Sequence, residues 1–459
     1  MMTRKLPIIA VATAPGKGGI GIIRISGPNL TVLAKALFQK TLVPRNATLL
    51  SFKDAAGNAI DQLIAIYFVG PASFTGEDIL ELQCHGGPHL LALVMKRCLE
   101  LGRDEGLVIA EPGEFTLRSY LNNKIDLAQA EAIADLIDAQ SEAAVRGAAR
   151  SLQGVFSSDV TDLIEEITQL RILVESTLDF PEEEIEFLEN AHARRRLSAV
   201  SVKLRSLREG AKQGAILRDG IQLVLVGAPN VGKSSLLNRL AGEDVAIVTP
   251  IAGTTRDRIK ESISIDGVPM HIIDTAGLRE TDDLVESKGI ERSWEAIRLA
   301  DLVVFLKDPN ATSTDALISD DLKAQIVREL PPKCPVLEVT NKADLVASEF
   351  KNSTAQNALF ISAKTGEGIP LLKDKILEIA GWGAPQEGAI LARRRHLDCL
   401  ERAAEHVKKS ELFAEDGNGS LELFAEELRL AQDHLGQITG KLLPDELLGK
   451  IFSQFCIGK

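Results

Sequence analysis

The chain has 459 residues, 45% hydrophobic and 25% charged. That is the balance of a folded protein and not of a disordered or fibrous one, and the length is more than one hydrophobic core usually serves, so two or three domains are expected. A formal net charge of −13 argues against a protein that coats nucleic acid by bulk attraction, though it leaves a local basic patch open.

The first segment, 1–122, sets short apolar runs (Ile8–Ala12, Ile20–Ile25, Leu63–Val69, Ile79–Leu82) between Gly and Pro breakers, which predicts an α+β domain. Its Gly16–Gly21 stretch suggests dinucleotide binding but lacks the acidic residue that should follow, so a tight turn is the better reading. Over 123–215 the pattern becomes helical, as in Ala130, Ile133, Ala134 and Ile137, almost without breakers until Pro181. From 216 to 380, strand-like apolar runs alternate with amphipathic segments, the mark of a parallel sheet wrapped in helices. The last segment, 381–459, is again amphipathic and is interrupted at Asp416–Ser420 and Pro444.

Helical sequence on both sides of the α/β block predicts that the block is inserted into a discontinuous helical domain. No window of about 18 uncharged apolar residues occurs, so no membrane span is expected. Met1–Lys17 lacks the apolar core of a secretory signal, and the protein is read as cytoplasmic. Five scattered cysteines, Cys84, Cys98, Cys334, Cys399 and Cys456, form no C-x-x-C pair and most are expected to be buried small hydrophobes. Two triple-arginine runs, Arg194–Arg196 and Arg393–Arg395, could form such a basic patch, but a solvated helix face is the better reading.

The α/β block carries the chemistry. The strand Ile221–Val226 runs into Gly227–Ser234 (GAPNVGKS), and a helix continues from Ser235. In such a loop the backbone N–H groups of Asn230, Val231, Gly232, Lys233, Ser234 and Ser235 and the helix N-terminus cradle phosphates, Lys233 reaches the β and γ oxygens, and the Ser234 hydroxyl binds Mg²⁺. Asp274-Thr275-Ala276-Gly277 follows a strand at His271–Ile273 and offers a carboxylate to Mg²⁺ through water and an N–H that senses the γ-phosphate. Asn341-Lys342-Ala343-Asp344 follows the strand Val336–Thr340. A carboxylate there accepts hydrogen bonds from guanine that adenine cannot give, and Ser362-Ala363-Lys364 closes over the base. Four motifs in this order predict a P-loop GTPase. Leu278 stands where many GTPases place a water-orienting Gln. Help with hydrolysis is therefore sought in the loop Thr249–Asp257, in which Thr249-Pro250-Ile251-Ala252-Gly253-Thr254-Thr255 would line the nucleotide, with Thr255 as a γ-phosphate and Mg²⁺ contact, and in Glu286 as the acid that orients water.

Together with Phe180–Glu184 (FPEEE), Gly76–Gly87 (GEDILELQCHGG) and Phe455–Lys459 (FCIGK), these motifs resemble the MnmE (TrmE) family of bacterial tRNA-modification GTPases over essentially the whole chain. The resemblance implies an N-terminal folate-binding and dimerisation domain, a discontinuous helical domain and an inserted Ras-like G domain. It also implies a potassium-dependent GTPase whose two G domains meet face to face in a homodimer. The K⁺ would lie against Asn230, Thr249, Ile251 and Thr254, and Glu286 would be the catalytic acid. A 5-formyltetrahydrofolate-like cofactor would contact Arg24, Glu81, Lys124 and Lys459, cations suiting its glutamate tail and a carboxylate its pterin. Cys456 falls on a family cysteine considered for a chemical role. The implied reaction adds an aminomethyl or carboxymethylaminomethyl group at carbon 5 of the wobble uridine of certain tRNAs. The partner MnmG supplies FAD and forms a heterotetramer or larger complex, a tetrahydrofolate gives the one-carbon unit, and GTP hydrolysis opens and closes the G domains. The competing reading is a regulatory or ribosome-assembly GTPase switch, which would predict an appended RNA-binding module and no folate site.

Overall fold

The structure, a computed structural model, describes residues 6–179, 193–243, 260–274, 294–295, 297–311, 321, 323–332, 334–346, 359–383, 390–415, 420–441, 445–456 and 458. These fall into two compact units, Met1–Ala134 with Leu435–Lys459, and Asp135–His434.

The first unit is built on six strands, β1 (Ile8–Val11), β2 (Gly18–Gly27), β3 (Thr48–Lys53), β4 (Ala59–Phe68), β5 (Asp78–Gly86) and β6 (Val108–Ile109), in the order β3-β4-β5-β2-β1-β6. All pairs are antiparallel except β1 with β6. One face is apolar at alternate residues, as strand geometry requires. Leu63, Ala65 and Tyr67 of β4 lie with Ile23, Ile25, Leu80 and Leu82, and the helices Thr31–Phe38 and Pro88–Leu101 cover them with Leu33, Leu91, Val94 and Cys98. The glycine run that suggested a cofactor turn serves this packing in part. A Cβ at Gly21 would stand 2.6 Å from Leu91 Cδ1, so the helix approaches β2 closely there.

The C-terminal residues belong to the same unit. Ile451, Phe452 and Phe455 pack on Leu127 and Ala130, and Tyr120 Oη donates to the Gly440 carbonyl at 2.8 Å. Gly458, at φ 94°, lies so close to the end of β1 that a Cβ would meet the Val11 carbonyl at 2.3 Å.

The second unit holds another six-stranded sheet, β7 (Ile221–Gly227), β8 (Lys260–Ile265), β9 (Val268–Asp274), β10 (Leu302–Lys307), β11 (Val336–Thr340) and β12 (Leu359–Phe360), ordered β12-β11-β10-β7-β9-β8. It is parallel apart from the β8–β9 hairpin. Strands of such a sheet are buried on both faces and read as continuous apolar runs. In β7, Leu223 and Leu225 pack with Leu236, Leu240, Ile369 and Leu372, while Val224 and Val226 point the other way to Ile297, Phe305 and Ile326.

A helical layer surrounds this sheet in sequence: Glu142–Leu152, Val155–Asp179 and Ala193–Asp219 before it, Arg394–Glu415 and Leu421–Thr439 after it. Ser141 caps the first of these, its Oγ accepting from the Ala144 N–H at 3.2 Å. Side chains distant in sequence join the layer. Arg171 Nη1 donates to Gln432 Oε1 at 2.8 Å, and Ser151 Oγ bonds both the carbonyl and the N–H of Leu391. The chain thus comprises α/β and α parts, as expected. One expectation needs correction. Arg393 does not lie on a solvated face, because its guanidinium donates to buried Asp135 at 2.7 Å, and Arg218 Nε reaches the same Oδ1 at 2.8 Å. The other run, Arg194–Arg196, is exposed on its helix as read. Of the cysteines, Cys84, Cys98 and Cys399 are buried, Cys334 is half-buried and Cys456 is exposed. Burial pushes the Cys84 thiol up to about 12, with the Asp61 carboxylate adding to the rise.

Candidate nucleotide-binding site

Three of the four nucleotide motifs converge at the C-terminal edge of the parallel sheet, the side on which ligands of open α/β folds bind. Where β7 ends, Gly227 lies against β10 so closely that a Cβ would meet the Leu306 carbonyl at 2.7 Å. The loop then turns through Asn230, which holds the left-handed conformation at φ 61°, and enters the helix Lys233–Glu243. Lys233 Nζ donates to the loop carbonyls of Gly227 at 2.8 Å and Ala228 at 3.2 Å. The ammonium therefore sits inside the curve of the loop, where the charge of a phosphate would fall. Ser234 and Ser235 are exposed in the first helical turn.

Asn341 joins the motifs. It is 2% exposed, its Nδ2 donates to the Val231 carbonyl at 2.8 Å and its Oδ1 accepts from the Ala363 N–H at 3.0 Å. One amide thus ties the Gly227–Ser234 loop to the Ser362–Lys364 loop. Gly232 completes the junction, since a Cβ there would stand 2.3 Å from Asn341 Nδ2. Next along the chain, Lys342 adopts φ 61° and its ammonium pairs with Asp308 at 2.5 Å. Burial raises the Asp308 pKa, but the Lys342 hydrogen bond and the Asn310 N–H outweigh that and hold it below the usual range. The Ala343 N–H donates to Ile361 O at 2.9 Å, and Ser362 Oγ donates to Asp344 Oδ1 at 2.7 Å, fixing the carboxylate that would face guanine.

Sequence reasoning missed Arg239. On the helix that leaves the phosphate loop, its Nε donates to Ala363 O at 3.2 Å and its Nη2 to Lys364 O at 2.6 Å. A cation about one and two-thirds turns past Lys233 was the only available signal.

Asp274 closes β9, its backbone in register with Leu225 of β7, which sets it at the same sheet edge. Thr249, Pro250, Ile251, Ala252, Gly253, Thr254, Thr255, Thr275, Ala276, Gly277 and Glu286 lie outside the described residues, as does most of the Asn310–Asp320 stretch. The donor set present suits a Mg²⁺-bound nucleoside triphosphate: a lysine in the loop curve, a hydroxyl at the helix N-terminus and a carboxylate ordered for a base.

The residues expected at the folate lie in the first unit. Arg24 and Glu81 are register partners across β2 and β5, joined by Arg24 Nε and Nη2 to Glu81 Oε1, both at 2.8 Å. The Arg24 guanidinium lies 5.8 Å from the Phe74 ring centre and 6.0 Å from that of Phe115. Lys124 is exposed and donates to the Pro71 carbonyl at 3.0 Å, and forms no ion pair with Glu81 among the described residues. Lys459 lies outside the described residues, but its neighbour Gly458 rests on Val11, and Ala10 is the register partner of Arg24. Paired charge flanked by aromatic rings suits a flat, polar heterocycle with an anionic tail. Cys456 is exposed nearby in the chain, its carbonyl accepting from the Gly113 N–H at 3.3 Å.

Comparison with known proteins agrees over the full length. The family model described as the MnmE helical domain matches residues 127–456, and that of the GTP-binding protein TrmE N-terminus matches 7–124. The tRNA modification GTPase MnmE of Polynucleobacter asymbioticus is 75% identical, covering 100% of both chains. The proteins of the same name from Bordetella parapertussis and Cupriavidus metallidurans are 56% and 52% identical, again over 100% of both chains. Among solved structures, an Aquifex aeolicus Era variant bound to GDP and aluminium fluoride is 26% identical, with a TM-score of 0.27 over 40% of this chain and 66% of its own. The G domain of the Thermotoga maritima FeoB transporter, also 26% identical, gives 0.26 over 35% and 98%.

Proposed function

This chain belongs to the MnmE family of tRNA modification GTPases, and from that membership we propose a potassium-dependent reaction cycle carried by the residues above. The chain is a GTP hydrolase that serves tRNA modification. In the proposed cycle, Lys233 and the amides of Asn230–Ser235 hold the phosphates, and Ser234, Thr255 and Asp274 hold Mg²⁺ directly or through water. Asp344 selects guanine and Ser362–Lys364 cover the base. Asn230, with Thr249, Ile251 and Thr254, would hold a K⁺, which would supply positive charge beside the transferred phosphoryl group, help of a kind worth about 10³ to 10⁵ in rate. Glu286 orients the attacking water, the role that Leu278 cannot fill.

Two such G domains meet in a homodimer, and hydrolysis parts them. Arg24, Glu81, Lys124 and Lys459 hold a tetrahydrofolate that supplies the one-carbon unit. With the FAD-containing partner MnmG, the complex adds an aminomethyl or carboxymethylaminomethyl group at carbon 5 of the wobble uridine. The domain limits proposed for this division of labour are 1–122 for folate and dimerisation, 123–215 and 381–459 for the helical domain, and 216–380 for the G domain.

The observation that carries this reading is the buried Asn341 amide, which binds phosphate loop and base loop into one nucleotide site. Steady-state GTP hydrolysis in KCl against NaCl, with Asn230→Ala alongside, tests it. Stimulation by K⁺ that the variant loses is expected. Equal rates in the two salts would remove the K⁺ bridge and the face-to-face mechanism.

A further inference from the structure

The helix Ala193–Asp219 carries eight Lys and Arg against two acids, in a chain whose formal net charge is −13. Its apolar residues Leu197, Val200, Leu204 and Ala211 are buried. Arg194, Ser198, Ser201, Arg205, Arg208 and Lys212 recur every three or four residues, so they form one stripe beside that buried face, about 27 Å long at 1.5 Å per residue.

Structural work accounts for part of this charge. Arg194 donates to the Ala414 carbonyl at 3.2 Å, Arg208 pairs with Glu401 at 3.5 Å, and Lys203 pairs with Glu166. It does not account for Arg205 and Lys212 of the stripe, nor for Arg195 and Arg196 beside its N-terminal end, which are exposed and have no ion-pair partner among the described residues. Glu209 stands four residues after Arg205 and three before Lys212, at pairing distance along a helix, yet it bridges to neither. Packing the helix needs none of these cations.

We infer that this stripe binds the ribose-phosphate backbone of the substrate RNA. The inference rests on the tRNA-modification reading and adds where the RNA touches. Guanidinium and ammonium groups interleaved with serine hydroxyls are donors suited to phosphate oxygens. Exposed cations along such a face bind a polyanion by releasing counterions and carry no base specificity. The stripe therefore positions a tRNA without choosing it.

The test uses the full-length chain and a fluorescently labelled tRNA transcript, with affinity read by anisotropy at 50 and 200 mM KCl. The triple variant Arg195→Glu, Arg205→Glu, Lys212→Glu is compared with its neutral counterpart bearing Gln at the same positions. Charge reversal is expected to weaken binding by at least tenfold at 50 mM KCl and to flatten the salt dependence, with the Gln variant between it and the unmodified chain. Basal GTP hydrolysis and thermal unfolding should not change. Binding of the triple Glu variant equal to that of the unmodified chain overturns the inference. So does loss of the FAD-containing partner with tRNA affinity kept, which would make the stripe a protein-docking face. If the unmodified chain binds no tRNA even at 50 mM KCl, the inference falls, while K⁺-stimulated hydrolysis in the same preparation leaves the GTPase reading standing.

Discussion

Replacing Arg239 by alanine removes two hydrogen bonds to the Ala363 and Lys364 carbonyls, in the loop proposed to cover the base. A hydrogen bond from a charged donor contributes about 1.5 to 3 kcal/mol when buried. Arg239 is only half-buried, so water takes over both carbonyls and the combined loss falls to about 1 to 2 kcal/mol. At about 1.4 kcal/mol per tenfold, that is a weakening of roughly 5- to 30-fold for GTP and GDP alike. It should appear as faster release, because Arg239 touches no group at the phosphates. Hydrolysis at saturating GTP should keep its rate, since Lys233 and Ser234 are untouched. Stopped-flow release of a fluorescent GDP analogue measures the first quantity and turnover at saturation the second. Arg239→Lys, which keeps a charge but can reach only one carbonyl well, should recover part of the affinity. Unchanged release, or lost turnover with unchanged affinity, would refute the positioning role.

Asp344→Asn should cut GTP affinity by at least about 100-fold and admit xanthosine triphosphate, since an amide N–H faces the added carbonyl of xanthine; competition binding decides it. Asp135→Ala leaves Arg218 and Arg393 without the carboxylate they share, which should cost about 3 kcal/mol, read as an earlier midpoint in urea. Asp308 sets a pH dependence. Its folded-state pKa lies below the ordinary 3.8, so its stabilisation is full above that value and vanishes as pH falls through the depressed one. At pH 7, Asp308→Asn should lower the melting temperature by about 2 °C, as suits a partly exposed pair. The difference from the unmodified chain should hold down to the ordinary carboxyl value and shrink as pH falls below it. A gap that already closes between pH 7 and about 5, well above the ordinary carboxyl range, would contradict this.

The parts of the fold visible in the sequence were those written in local pattern. β7 and β11 are apolar runs ended by Gly227 and Asn341, and both lie where that punctuation sets them. Helical spacing on both sides of the α/β block foretold a divided helical layer. What local pattern did not carry was long-range pairing. Nothing near Asn341 in sequence reveals that its amide reaches Val231, and nothing around Arg239 points to Ala363. Arg393 looked solvated because it stands in a run of three arginines, whereas its partner Asp135 lies 258 residues away. Two-residue strands such as β6 and β12 are too short to show alternation. The Arg24–Glu81 pair was expected as two separate contacts to a ligand, and only strand register shows that they face each other.

Asp135 also bears on how the chain can fold and vary. The two arginines that meet it stand where the polypeptide passes into the second sheet and where it returns, so a single carboxylate closes a very long loop without a covalent link. The entropy lost on closing a loop grows only with the logarithm of its length, about 0.6 kcal/mol per doubling. The helical layer is therefore almost indifferent to how much chain hangs between its halves. Surface loops of the inserted body can lengthen or shrink at little thermodynamic expense to the layer that carries it, provided the crossing at Asp135 stays shut.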